Sequence, residues 1–237
     1  MPTEAIISYD GVKIFELLNS GDIPRINAFM SLYERLFPMY AHYTPRMRRR
    51  TQLPPEARPG HRVHYWLIED QDTPIGLFMF RYISHRKCGA GTALALDPST
   101  RAVKINGKSL TAFLFEKVLN QIKEDALSMG HSDYYGMVAE VEHLGLMKRF
   151  EKLGMIELPV KYFEPVFPPE ENGREREEIL NNIKFIPAHF TIMPHQNSNH
   201  KSFSSKILKD FVLAFLVDHY NLDENHYKVQ EILKSIA

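Results

Sequence analysis

Cysteine is almost absent from this 237-residue chain, where Cys88 stands alone. One thiol excludes an internal disulfide framework and a cysteine-rich metal site, and it suits a reducing compartment, so the expected location is cytoplasmic. An excess of either charge is also lacking. Lys+Arg and Asp+Glu both number 29, and no global field draws the chain to nucleic acid or to a membrane surface. No apolar run approaches the ~18 residues of a membrane span. Residues 1–8 lack the basic and then apolar pattern of a secretory signal. His195 and His200 share a polar loop without the further ligands that zinc would need. Nucleic acid, membrane and metal are therefore not expected as partners.

What is present has an ordinary composition, 44% hydrophobic, with length for one well-buried domain and an extension. Val12 to Leu17 forms a first expected strand. Asn19-Ser20-Gly21-Asp22 has turn and capping chemistry, and Ile26, Phe29, Met30, Tyr33 and Leu36 then repeat at helical spacing over 23–37. A second helical piece over 38–52 carries Arg46, Arg48, Arg49 and Arg50. After a proline-rich loop at 53–60, strands over 63–69 and 75–83 flank Gln71-Asp72-Thr73-Pro74 as a hairpin. Residues 84–91 form a polar connector and 92–96 another strand.

The best helix covers 106–129, with Leu110, Phe113, Leu114, Val118 and Ile122 as one apolar stripe and Gly130 as its stop. Strand-like runs at 133–139, 155–166 and 183–193 follow, with a helix between the first two and a proline- and charge-rich insertion at about 167–182. Two terminal helices, 204–221 and 223–237, close the chain. The first aligns Ile207, Leu208, Phe211, Val212, Phe215 and Leu216 on one face, too apolar to stay in water. That face is expected to pack on the chain's own sheet or across a homodimer. The element order predicts a mixed α/β (α+β) layout with helices on a central sheet.

The stretch Leu94-Ala95-Leu96-Asp97-Pro98-Ser99-Thr100-Arg101 carries most of the functional information. A strand ends at a proline, an arginine follows, and a short loop opens the long helix. Backbone N–H groups at a helix start, aided by the helix dipole, form an anion site suited to pyrophosphate. Downstream, Arg149-Phe150-Glu151-Lys152-Leu153-Gly154-Met155 closes a helix after the strand at 133–139.

In these two motifs the sequence resembles the GNAT superfamily of acyl-CoA-dependent N-acyltransferases. Leu94, Leu96, Pro98 and Arg101 match its first motif, residues 149–155 shadow its second, and element order over 62–165 agrees. The resemblance implies a GNAT-like mixed sheet with splayed central strands and helices on both faces over residues 1–193, with 194–237 as a helical addition. It implies transfer of an acetyl or other acyl group from CoA to a small-molecule or peptide amine. No metal is implied. Alternatives are a longer-chain acyl donor, on CoA or a carrier protein, and a catalytically impaired acyl-CoA-binding relative.

The implied donor site comprises Leu94 and Leu96 on the strand and Arg101, Ala102, Val103, Lys104, Ile105, Asn106, Gly107 and Lys108 in the loop. Lys104 and Asn106 stand where the family prefers small residues, and Gly107 lies one position late. Phe150 replaces a tyrosine that many members use as general acid. Proton transfer is therefore assigned to Glu140, at the end of a strand, and His143, at the following helix start. Tyr134, Tyr135 and Tyr162 are candidates for the missing acid. Arg48 and Arg50, with Tyr135 and Tyr162, are the expected acceptor contacts.

Overall fold

The computed structural model describes residues 3–100, 103–168, 180, 182–195 and 203–236. Its contacts divide into two units, Met1–Tyr82 with Gly91–Gln121, and Ile83–Ala90 with Ile122–Ala237.

Tight turns organise the first unit. β1 (Ile7–Tyr9) and β2 (Val12–Glu16) join through Asp10-Gly11, and β3 (His61–Asp70) and β4 (Thr73–Ile83) join through Gln71-Asp72. These turn residues have φ of 49°, 83°, 46° and 62°, the left-handed pair that a two-residue hairpin requires. The expected 71–74 hairpin is thus present. β2 and β3 run antiparallel, with Val12 opposite Asp70 and Glu16 opposite Trp66.

Between them lies α1 (Ile23–Leu36), capped by Asp22, whose carboxylate accepts the Arg25 N–H at 3.2 Å. Pro24 in its first turn needs no helical N–H partner. Its buried side carries Ile26, Phe29, Met30, Leu32 and Tyr33. The second helical piece is shorter than expected. Pro38–Tyr43 winds as a 3-10 helix, and α2 covers only Thr44–Arg50. The core of this unit packs Trp66 edge-on against Phe80 at 4.7 Å and stacks Phe29 on Tyr65 at 5.7 Å.

β5 (Cys88–Leu96) starts earlier than the sequence suggested, inside the expected connector. A 3-10 turn at Ser84–Arg86 and left-handed Lys87, φ 50°, bring the chain round at once. Cys88–Ala90 is buried and Gly91–Leu96 half-buried. The long helix also begins later than expected. Residues 104–109 form a small hairpin, β6 (Lys104–Ile105) and β7 (Lys108–Ser109), before α3 (Leu110–Ser128). Leu110, Phe113, Leu114, Val118 and Ile122 are buried along α3, as the stripe predicted.

The second unit holds β8 (Gly136–Val141), α4 (Leu144–Glu151), β9 (Ile156–Glu157), β10 (Tyr162–Val166) and β11 (Lys184–Pro194). α5 (Ser205–Leu213), a π-helical continuation at Ala214–His219, and α6 (Tyr227–Lys234) follow. The expected 155–166 strand is split between β9 and β10. The insertion expected at 167–182 lies largely outside the described residues. The buried start of β5 leads to β8, then β11, then β10, so β11 inserts between two strands that precede it in sequence. β8 and β11 are antiparallel, with Glu140 opposite Phe190. Gly136 has φ 126° and passes so close to the Met193 carbonyl that no Cβ would fit.

The terminal helices share one core with these strands. Leu208, Phe211, Val212, Phe215, Leu216, Val229 and Ile232 pack with Val138, Leu158, Tyr162, Phe190 and Ile192. Ile207 is only partly buried there. Arg86 clasps the addition, its Nε donating to Asp218 at 3.0 Å and a terminal nitrogen to Asp210 at 2.8 Å.

Candidate functional site

In the first unit, the strand that carries Leu94 and Leu96 is half-buried over its last six residues, Gly91–Leu96. The Leu96 side chain covers Gly76 on β4, where a Cβ would collide with it. Beyond the strand the backbone satisfies much of itself. Asp97 accepts from the Ser99 N–H at 2.9 Å and hydroxyl at 2.6 Å. Thr100 N–H donates to Asp97 C=O, Val103 N–H to Thr100 C=O, and Leu110 N–H to Val103 C=O. Ser109 caps α3 by accepting the Ala112 N–H at 3.2 Å.

Asn106 and Gly107, φ 49° and 73°, occupy the centre of the β6–β7 hairpin, with Ile105 opposite Lys108. The glycine's freedom therefore serves a two-residue turn. Ile105 is buried, while Lys104, Asn106, Gly107 and Lys108 are exposed at the tip. Lys108 Nζ pairs with Glu116 at 2.7 Å, and the Asn106 amide donates to the Tyr9 hydroxyl. Arg101 and Ala102 lie outside the described residues.

The two arginines expected at the acceptor are engaged locally. Arg48 donates to the Asn27 side chain at 2.7 Å on an exposed surface. Arg50 holds the proline loop, donating to the carbonyls of Pro54 at 3.0 Å and Pro55 at 3.3 Å. A depression of ≈ 670 Å³ elsewhere in this unit, lined by Asp22, Arg25 and Glu69, has its charges paired already.

The second unit brings two of the expected residues together and adds two more. Glu140, on β8, receives the Tyr162 hydroxyl on Oε1 at 2.5 Å and the Tyr220 hydroxyl on Oε2 at 2.6 Å. Tyr220 also lies 3.5 Å from Glu164 Oε1, and Glu164 is buried. Burial holds the Glu140 carboxyl well above the usual carboxylate range; the neighbouring Glu164 charge adds to this, and the two phenols oppose it. Both phenols are pushed well above their ordinary value, by burial first and then by the Glu140 charge. They are thus donors that keep their protons. A carboxyl of raised proton affinity, held on both oxygens, is suited to take a proton from a reacting group.

Tyr135 does not join this cluster. Its ring meets Phe211 at 5.4 Å and Phe203 at 6.3 Å, and its N–H extends the β5 edge by donating to Lys87 C=O at 2.9 Å. Tyr134 packs against His195, ring centroids 4.3 Å apart. His143, before α4, is apart from Glu140 and turned to solvent, its side chain 81% exposed and 3.8 Å from Glu142. Phe150 lies half-buried on α4. Among the described residues no group of His, Cys, Asp and Glu could hold a metal ion, and no helix is long and apolar enough to cross a membrane.

Tyr220 and Glu164 escaped the sequence analysis. Tyr220 ends the apolar stripe of the terminal helix, and a hydroxyl-tipped aromatic at the end of such a stripe is the one signal it offers. Glu164 falls within a run that reads as plain strand.

No protein-family model and no curated protein matches the sequence. Solved structures do match. A GNAT-family protein from Bacteroides thetaiotaomicron superposes with a TM-score of 0.51 at 16% identity, over 89% of this chain and 99% of its own. Tetrahymena GCN5 gives a TM-score of 0.47 at 13% identity, over 79% of this chain and 99% of its own. A chimera of the Vibrio cholerae spermidine N-acetyltransferase SpeG and hSSAT gives 0.46 at 10% identity, over 77% of this chain and 94% of its own. The first of these establishes that the chain has the GNAT fold, a mixed α+β architecture around a mostly antiparallel sheet.

Proposed function

We propose that this protein is an acyl-CoA-dependent N-acyltransferase, moving an acetyl or other acyl group to a small-molecule or peptide amine. The observation that carries the reading is Glu140, a carboxyl of raised proton affinity clasped by two phenols on a central strand of a GNAT fold. In the reaction the neutral amine attacks the thioester carbonyl carbon. The C–S bond breaks, CoA leaves as the thiolate, and the proton released from nitrogen passes to Glu140. Within the first unit, Leu94 and Leu96 on the strand and exposed Lys104 on the β6–β7 hairpin are the proposed contacts of the acyl donor. No further catalytic group is needed at position 150 if the thiolate leaves unprotonated.

The test is thiol release from acetyl-CoA and longer acyl-CoAs against a panel of amines. Once an acceptor is found, Glu140→Gln is expected to lower the rate by ~100- to 10,000-fold, while exposed His143→Ala leaves it nearly unchanged. Wild-type rate in Glu140→Gln would refute the assignment.

A second reading, an acyl-CoA-binding relative without chemistry, is favoured by Phe150 and by the Asn-Gly hairpin that replaces a glycine-rich loop. Calorimetric binding of acyl-CoA with no turnover against any amine would select it.

A further inference from the structure

The first terminal helix changes its winding before it ends. Ala214–His219 is π-helical, and the Tyr220 N–H donates to the Phe215 carbonyl, five residues back, at 2.8 Å. A π turn holds one residue more than the α repeat, which rotates everything after it by about 100°. Regular α spacing carries the buried positions 211 and 215 on to 219. The added residue carries them to 220 instead. Asn221, φ 59°, then stops the helix, its N–H donating to Val217 C=O at 3.0 Å. The change of winding thus delivers the Tyr220 hydroxyl to Glu140 Oε2, with Glu164 Oε1 on its other side.

We propose that Tyr220 is a positioning residue that holds the Glu140 carboxylate ionised and oriented, and that Glu164 works against it, so that the two together set the pH at which Glu140 takes up a proton. The role presupposes that Glu140 is the proton acceptor of the transfer. A phenol has one hydrogen, and the 2.6 Å bond commits it to Glu140, where it favours the charged carboxylate. Glu164 is buried among the same groups, and its charge disfavours a second charge beside it.

The other groups around Glu140 leave this balance in place. On β10, Tyr162 fixes the other oxygen and stacks on Phe190 at 4.4 Å. From β11, apolar Phe190 stands opposite, and the adjacent His189 is held by Glu157 at 2.7 Å. Glu142, just past the end of β8, adds a smaller upward push. The Cys88 thiol at the start of β5 is kept neutral by burial. His219 lies beside the Tyr220 ring, centroids 4.5 Å apart, and Asp218 is taken by Arg86 and His85.

The experiment titrates the Glu140 carboxyl directly in the full-length protein labelled with δ-¹³C glutamate. The Glu140 resonance is identified by its loss in Glu140→Gln. Tyr220→Phe is expected to move the midpoint to higher pH, Glu164→Gln to lower pH, and the double variant back towards wild type. Unmoved midpoints, or shifts of the same sign, overturn the proposal. If melting shows that Tyr220→Phe does not fold, Glu164→Gln decides alone, and a midpoint that fails to fall overturns it. Thiol release is measured on the same samples. Opposed shifts without turnover against any amine would sink the acyltransferase reading and leave the coupling standing.

Discussion

Arg86 is the residue whose loss should most damage the second unit without touching Glu140. Its guanidinium is 15% exposed and bridges Asp218, 7% exposed, and Asp210, 31% exposed. Replacing it by leucine keeps much of the volume but takes the guanidinium from the Asp218 charge, in a site almost closed to water, leaving His85 at 3.2 Å. Breaking one side of a buried pair costs about 3–5 kcal/mol. For a chain of this size each kcal/mol lowers the melting temperature by about 2–4 °C, so calorimetry should show a drop of about 6–20 °C. The cost lies in the buried carboxylate deprived of its guanidinium, not in the lost attraction. Arg86→Leu combined with Asp218→Leu should therefore recover most of the loss, because a well-packed apolar pair often does as well as a buried ionic one. A single variant that melts with wild type would refute the clasp. A double variant no better than the single would refute the buried-charge explanation.

Other outcomes follow from the same physics. Glu140 has its proton affinity raised above the unfolded value of 4.5, so its contribution is fully present below that pH and is lost as pH rises through the folded value. Glu140→Gln should thus gain stability relative to wild type as melts are taken from acid to alkaline pH; a variant that instead loses ground to wild type over that range would be the wrong sign. Asp97 is held at about 2 by the Ser99 hydroxyl and N–H first, and then by Arg35. Its stabilisation is present above about pH 4 and lost as pH falls towards 2, and Asp97→Asn should flatten chemical-denaturation stability in that window. Cys88 is fully buried and its thiol pushed up by burial. It should resist a thiol reagent in the native protein and react one-to-one in denaturant, and rapid native labelling would contradict its placement.

The legible parts of this fold are those governed by short-range rules. The cap chemistry at Asp22 and the spacing from Ile26 to Leu36 announced α1, the stripe from Leu110 to Ile122 announced α3, and the apolar face from Leu208 to Leu216 announced its own burial. Glu140 could be singled out because it ends a buried strand. Asn106-Gly107 is a strong hairpin signal in its own right, yet there the expectation of a helix starting at 106 prevailed, because the loop aligned with a phosphate-binding motif. Tyr220 was out of reach for a different reason. A period of 3.6 residues, extrapolated from Phe211 and Phe215, points to 219 and does not foresee one extra residue in the turn. Nor does local pattern reveal that the chain after β10 returns between β8 and β10, which is what gathers Glu140 and Glu164 near one phenol.

The Arg86 clasp also has a history within each molecule's synthesis. Its two carboxylate partners lie 124 and 132 residues further along the chain. At a ribosomal rate of about 5–20 residues per second, Asp218 is made roughly 7–26 s after Arg86. Until residues 184–194 are made β8 has no β11 beside it, and for the rest of the interval it still lacks the terminal helices over it, so its apolar side chains wait incompletely covered. The nascent chain should be a client of holding chaperones until its last helices are released, and chains stalled before residue 218 should accumulate as aggregates instead of as a smaller folded product.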